Sequence, residues 1–244
     1  LEPCLQSIQA VADEIIVVDA YSQDETVKVA EKYRARVFKR SWTNYSDQKN
    51  FGNSRAKFPW IFSIDADERL SPQLKEELLE LKTRPAEPPE AAFSVPRIAY
   101  YLGRWIRHSG WYPDRKIRLF RQELTRWVGD YVHEKLEVEG AVGKLNGHLY
   151  HFTYDCLADH LERINLYSGL AAKELYAQQK KCRWHHLLLL PFCRFLKSYL
   201  LQAGFLDGFP GLVISVLSGY GTFVRYAKLK EIWKKGEKIE PFPD

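Results

Sequence analysis

Three acids within four residues, Asp65, Asp67 and Glu68, end the apolar run of "FPWIFSIDADERLSP". Carboxylates pressed this close repel one another, so the stretch asks for positive charge among them. Residues i and i+2 of an extended segment point the same way, and Asp65 and Asp67 are therefore expected to present two carboxylates to one point. Oxygen ligands of this kind suit Mg²⁺ or Mn²⁺, which bridge one or two carboxylates to a substrate's phosphates. Taken alone, Asp-X-Asp is a weak signal that more often marks a helix cap or a solvated loop. A phosphatase of the Asp-X-Asp-X-Thr type is set aside because the fifth position is Arg69.

Context favours the metal and phosphate chemistry. "EIIVVDA" is a second short, β-branched run that ends in an acid, Asp19, and ligands of open parallel sheets bind beyond the carboxyl ends of such strands. Lys49 and the arginines from Arg115 to Arg121, Arg118 among them, are placed to face a diphosphate. Each of them taken singly reads as readily as a surface charge.

The elements that must position these groups follow from periodicity and caps. "EIIVVDA", "ARVFKR" and "PWIFSID" read as strands, the last ending at Asp65, with helices at "SQDETVKVAEKY" (Ser22 as N-cap, Glu25 completing a capping box) and "NYSDQKNFGNSRAK". The unit is β-α-β-α-β, expected to be parallel. "SPQLKEELLELK" is a scaffold helix with an N-capping serine and proline at its first position. After a proline-rich loop, the pieces "AFSVPRIAYYL", "RKIRLFR", "VHEKLEVEG" and "GHLYHFTY" are spaced too closely for crossover helices and are expected to pair antiparallel or mixed. The fold class is α/β. Residues 1–154 form the expected catalytic domain and 155–244 a helical C-terminal region.

The totals set limits. A chain of 244 residues can bury a sizeable core, and a net charge of +5 is too mild to argue for nucleic acid. The basic residues between Arg97 and Arg126 are interleaved with Trp105, Trp111 and Tyr112, which suits a solvated face, an anionic substrate or membrane headgroups. Cys4, Cys156, Cys182 and Cys193 have no metal or disulfide spacing and read as reduced, mostly buried thiols of a cytosolic protein. His108, His148, His151, His160, His185 and His186 show no metal-ligand spacing either. The first ten residues lack the basic start and apolar run of a secretory signal. The opening "CLQSIQAV" reads as a helix, so a preceding strand is expected outside this sequence. With no methionine anywhere, the chain reads as processed, truncated or altered.

From "HHLLLLPFCRF" onward the chain is at its most apolar, yet Arg194, Lys197, Asp207 and Pro210 interrupt it. The expectation is helices in a membrane interface with Lys228, Lys230, Lys234 and Lys235 on anionic headgroups; an ordinary helical core or a dimer surface is the alternative.

Together, "ADEIIVVDAYSQDETVKVAEKY", "ARVFKRSWTNYSDQKNFGNSRAKFPWIFSIDADERLSP", "GWYPDRKIRLFR", "VHEKLEVEG" and "GFLDGFPGLVISVLSGYGTFVRYAKL" closely resemble family 2 glycosyltransferases with the GT-A fold, in particular the bacterial lipopolysaccharide core-biosynthesis glucosyltransferase-like group. The resemblance implies a Rossmann-like, mostly parallel sheet flanked by helices, with a membrane-associating helical extension. It also implies metal-dependent inverting transfer of a sugar from a nucleotide-diphosphate donor, UDP-glucose favoured, to a hydroxyl of a lipopolysaccharide-core or other glycolipid acceptor. The implied location is the cytoplasmic face of the bacterial inner membrane, peripheral or monotopic. Other UDP-sugars, ADP-heptose and a polyprenyl-linked acceptor stay open.

Residue by residue, the resemblance gives Asp19 to the base or ribose, Asp65 and Asp67 to metal and nucleotide, with Asp67 the direct metal ligand, and Glu134 to the catalytic base. It gives His133 to the metal, diphosphate or acceptor, and the stretch holding Trp105, Trp111 and Tyr112 to the acceptor, on whose sugar faces these rings would stack. Glu134 also reads as a solvent-facing strand acid in register with Glu137 and Glu139; Asp130 and then Asp114 are the substitute bases. The usual glycine-containing turn after the first aspartate reads "AYSQD" here, and the family's opening strand is absent. The rival functions are a nucleotide-sugar-binding module without catalysis and a membrane-associated scaffold.

Overall fold

The structure, a computed structural model, describes residues 1–129, 134–154 and 156–236. The chain divides into two compact units: Leu1–Ile98 with Pro113–His151, and Ala99–Tyr112 with the chain from Phe152 onward. Residues 99–112, which the sequence reading counts with the catalytic domain, thus belong with the helical region.

In the first unit, helix α1 (Glu2–Ile8) leads to strand β1 (Ile16–Asp19). Helix α2 (Thr26–Lys32) then connects it to β2 (Arg36–Lys39), which lies parallel to β1 with Asp19 opposite Lys39. The α2 helix starts later than the capping box predicts. The Ser22 N–H donates to the Asp19 carboxylate and the Thr26 N–H to Asp24, so the amide of the expected cap is already committed and Glu25 stands at the cap without a side-chain bond. Tyr21 takes the left-handed conformation, φ 62°, in the turn where a glycine is usual. Helix α3 (Tyr45–Ser54) is capped by Asn44, whose side chain accepts from the Asp47 N–H at 2.8 Å.

The third expected strand is shorter than predicted and sits in a different sheet. Strand β3 (Trp60–Phe62) pairs antiparallel with β7 (Asp114–Arg121), within the order β3-β7-β5-β11-β4. Here β4 is Glu68–Leu70, β5 Ala92–Tyr101 and β11 Leu149–His151; β10 (Val142–Lys144) adds to β5 in parallel. The sheet is mixed rather than mostly parallel: β5 with β7 and β11 with β4 are also antiparallel. Links among the later strands are too short for the crossovers a parallel pair requires.

Helix α4 (Pro72–Thr83) follows its sequence signature, with Ser71 Oγ accepting the Leu74 N–H at 3.1 Å. It buries Leu74 and Leu78 against Leu70, Phe93, Val95 and Leu149. Strands β8 (Thr125–Val128) and β9 (Lys135–Val138) form an antiparallel pair over a second small core of Ala92, Phe120, Trp127 and Leu136.

In the second unit, the end of β5 pairs with β6 (Arg104–Trp105). Helices α5 (Leu157–Ala177), α6 (Trp184–Leu196) and α7 (Gly208–Lys235) follow, with a π turn at Lys197–Leu201 and a 3₁₀ turn at Gly204–Asp207. Helices α6 and α7 approach closely at a small residue: a Cβ on Gly219 would lie 2.9 Å from the Pro191 carbonyl oxygen. Tyr101, Ile106 and Ile214 are the buried centre. Only Cys4 among the cysteines is buried, and Cys156 and Cys193 are exposed because they fall at the outer start of α5 and on the open side of α6, so "mostly buried" does not hold.

Candidate functional site

The three acids sit in a turn. The Glu68 N–H donates to the Asp65 carbonyl at 3.0 Å, and the reversal carries the chain straight into β4. Asp65 and Asp67 are therefore not alternate residues of one extended strand, and their carboxylates meet different partners. Arg118, on β7, donates to Asp65 Oδ2 at 2.8 Å and to Glu68 Oε1 at 2.5 Å. Arg97, on β5, reaches the same Glu68 oxygen at 3.2 Å and binds Asp114 at 2.6 Å. The other Glu68 oxygen accepts the Asp65 N–H at 3.0 Å.

The positive charge that the acids ask for is thus supplied in part by the protein itself. Glu68 is fully buried and Arg118 nearly so. A charge taken out of water this completely persists only when paired and hydrogen-bonded, as both are here. Burial pushes the Asp65 carboxyl up, but Arg118, Lys49 and Arg97 outweigh it and hold the group well below the usual carboxylate range. Arg118 is held above its ordinary value, burial opposing and Glu68 and Asp65 prevailing.

Lys49 projects from α3 over the Trp127 ring, 4.5 Å from its centroid. Its ammonium lies 2.7 Å from Glu134 Oε1 and 3.5 Å from Asp65 Oδ1, so one cation joins two of the predicted site acids. Asn50, next on the helix, holds the Trp127 backbone by both its amide donor and its carbonyl. The second carboxylate oxygen of Glu134 is buried and has no hydrogen-bond partner among the described residues. Asp67 has a different partner, its Oδ2 lying 3.4 Å from His151 Nε2. Burial raises its pKa, but the hydrogen bond and charge of His151 bring it below the ordinary value. Its side chain is 41% exposed, the openness a ligand to an incoming group needs.

Lys49, Asp65, Arg118 and Glu134 are linked by direct contacts, with Asp67 in the same turn as Asp65. Arg118 is spent on Asp65 and Glu68 and does not present its guanidinium to solvent. Asp19 is buried at the end of β1, where its carboxylate takes up the Ser22 N–H. Among the described residues no ion pair or hydrogen bond joins it to the acid turn. Trp111 belongs to the second unit and packs into an aromatic cluster, 5.5 Å from Tyr101 and 5.8 Å from His160. His133 and Asp130 lie outside the described residues. Asp114 pairs with Arg97, as its arginine-rich surroundings suggest.

Sequence reasoning missed Arg97 and His151, and saw Glu68 only as a third acid. No local signal marks them: β11 lies against β4 with His151 opposite Glu68, and Arg97 comes from β5 opposite Asp114.

A divalent cation fits the donor chemistry only with help from a substrate. Among the described residues no group of three or more histidines, cysteines or acids is placed to hold a metal. Asp67 is an ionised, half-exposed oxygen ligand, and such cations commonly take one or two carboxylates and complete their shell with phosphates and water.

A family model described as glycosyl transferase family 2 matches residues 1–135. An uncharacterized glycosyltransferase of Rickettsia prowazekii is 28% identical over 96% of this chain and 84% of its own length. The lipopolysaccharide core biosynthesis glycosyltransferase LpsC of Rhizobium meliloti is 30% identical over 93% of this chain and 88% of its own. Among solved structures, Staphylococcus aureus TarS 1–349 in complex with UDP-GlcNAc aligns over 97% of this chain and 88% of that one, with a TM-score of 0.41 and 13% identity.

Proposed function

Because the chain belongs to glycosyl transferase family 2 and is a glycosyltransferase, we propose that it transfers a sugar, with inversion, from a nucleotide-diphosphate donor to a hydroxyl of a lipopolysaccharide-core or related glycolipid. UDP-glucose is the favoured donor, and the cytoplasmic face of the bacterial inner membrane the place of action. The observation that carries the reading is the Lys49 bridge between Asp65 and Glu134, which leaves the buried Glu134 Oε2 without a hydrogen-bond partner among the described residues.

In a single in-line displacement, the acceptor oxygen bonds to the anomeric carbon as the bond from that carbon to the diphosphate oxygen breaks. The acceptor hydroxyl donates to Glu134 Oε2, which takes its proton as the new bond forms; Lys49 on Oε1 fixes the carboxylate's direction. Asp65, locked by Arg118 and by Glu68 on its backbone, gives the donor a rigid acceptor of hydrogen bonds rather than a mobile one. Asp19, at the carboxyl end of β1, supplies the corresponding contact to base or ribose. A Mg²⁺ or Mn²⁺ ion, held through Asp67, would neutralise the leaving diphosphate.

A thermal-shift panel of UDP-, GDP- and ADP-sugars with and without Mn²⁺ tests this. A ligand that binds only the folded state must raise its melting temperature. The expected outcome is a rise with a UDP-sugar that is larger with Mn²⁺, the Mn²⁺-dependent part being lost in Asp67→Asn. No rise with any sugar nucleotide would sink the reading.

A further inference from the structure

Along α7 the exposed large side chains are Phe209, Leu212, Val216, Tyr220 and Phe223. Steps of three and four residues place them on one stripe. A helix of a soluble domain turns its apolar stripe inward; here the buried face carries Pro210, Gly211, Ile214, Ser215, Gly219 and Leu229, and a second apolar stripe of larger side chains looks outward. Continued past Phe223 in the same steps, the stripe reaches Lys230 and Lys234, both exposed.

At its other end the stripe meets a break. The helices Trp184–Leu201 and Gly204–Lys235 join at 68°, with Ala203 in the left-handed conformation at φ 53°. The side chains at this elbow are among the barest apolar groups of the protein, Leu201 at 83% and Phe209 at 70% exposure, with Phe205 and Leu206 about half exposed. Among the described residues no single helix is long and apolar enough to cross a membrane.

We propose that the elbow and the α7 stripe form a wedge that dips into one leaflet of a lipid bilayer, apex inward, with Lys230 and Lys234 held at anionic headgroups. From Phe209 to Phe223 the stripe runs about 21 Å at 1.5 Å per residue. Tilted, that length suits a leaflet whose hydrocarbon is about 15 Å deep, half of the usual core. Arg194 and Lys197, exposed on the way to the elbow, have apolar stems long enough to carry their charges back to the headgroups. The order along the stripe, apolar and then basic, matches the layering of an anionic membrane. A self-paired helix face has no use for exposed lysines in line with its core. This surface belongs to the second unit and the acid turn to the first, and the inference does not rest on the transfer reaction.

The test is sedimentation of the full chain with vesicles of phosphatidylcholine alone or mixed with phosphatidylglycerol. Wild type is expected to pellet with both, more strongly with the anionic mixture. Replacing Leu201 and Phe209 by glutamate is expected to lower partitioning about a hundredfold on either vesicle, since two large apolar side chains no longer leave water. Replacing Lys230 and Lys234 by glutamate is expected to cost about tenfold or more on anionic vesicles and little on neutral ones. All four side chains are exposed, so the melting temperature should stay put and report intact folding. Wild type that fails to pellet, or a Leu201 and Phe209 variant that pellets like wild type, overturns the proposal. So does a concentration-dependent dimer that these substitutions dissociate while vesicles go unbound. The sugar-nucleotide thermal shift should persist in every variant, which keeps failure of the wedge separate from failure of the transferase reading.

Discussion

The two units use charge and apolar surface in opposite ways. The first buries charge: Glu68 and Arg118 lie inside it, tied to Asp65 and Arg97. The second keeps its interior nearly neutral, filling it with Tyr101, Ile214, a neutral His160 and the serines Ser198 and Ser215, whose hydroxyls bond each other at 3.0 Å. The one buried acid among its described residues, Asp207, is answered by two backbone N–H groups and His108. Outside, the contrast reverses, and most of the exposed large hydrophobics among the described residues belong to the second unit. Buried ions cost desolvation and return geometric definition, which is worth having where substrate atoms must be held. Exposed apolar groups cost solubility and return attraction to another apolar phase.

The comparison breaks first if the acids of the charged unit are dispensable. Glu134→Gln is expected to lower turnover by about 10²- to 10⁴-fold while sugar-nucleotide binding stays near wild type, because a general base acts only as the proton moves. Steady-state rates beside the thermal shift read this directly. Next, Glu68→Leu leaves Arg118 and Arg97 short of a buried counter-charge. Removing one partner of such a network typically costs about 3–5 kcal/mol, and urea unfolding measures it. A loss well under this would mean that the buried charges are looser than the distances imply.

The acid response sharpens the contrast by the smallest amount. Burial lowers His160 to about 4 from 6.5. Between these values the unfolded chain binds a proton that the folded chain refuses, so stability present above 6.5 falls as the pH drops toward 4, by about 3 kcal/mol at most. His160→Gln, whose amide can still hydrogen-bond the Tyr101 hydroxyl, should remove that loss; denaturation midpoints at the two ends of the window decide it. Asp65, Asp67 and Asp114 sit below the ordinary aspartate value, so their contribution is complete above about pH 4 and disappears only as the pH falls further. The second unit is therefore expected to weaken first on acidification.

Much of this was legible in the chain. The Ser71-Pro72 start of α4, the helix at Asn44, the run ending in Asp19 and the apolar helices after Trp184 all carry local signals, caps and periodicities that survive in the structure. The acid-rich turn announced itself as a place needing cations. Two readings failed for local reasons: Asp19 took the amide meant for the α2 cap, and the Asp65 to Glu68 reversal ended the extended geometry assumed for the acid pair.

By itself the sequence determined which residue types were present to do chemistry and which segments would be helix or strand, because both depend on neighbours within a few positions. The partners were decided only in three dimensions. Arg118 and Arg97 reach Glu68 from two other strands, His151 meets Asp67 through the pairing of β11 with β4, and Lys49 meets Glu134 across 85 residues of chain. Whether the α7 stripe faced inward or outward was likewise open until the opposite face, Ile214 with the small residues Gly211, Ser215 and Gly219, found neighbours to bury against. Register and facing are set by which surfaces pack together, and no window of sequence contains both sides of such a contact.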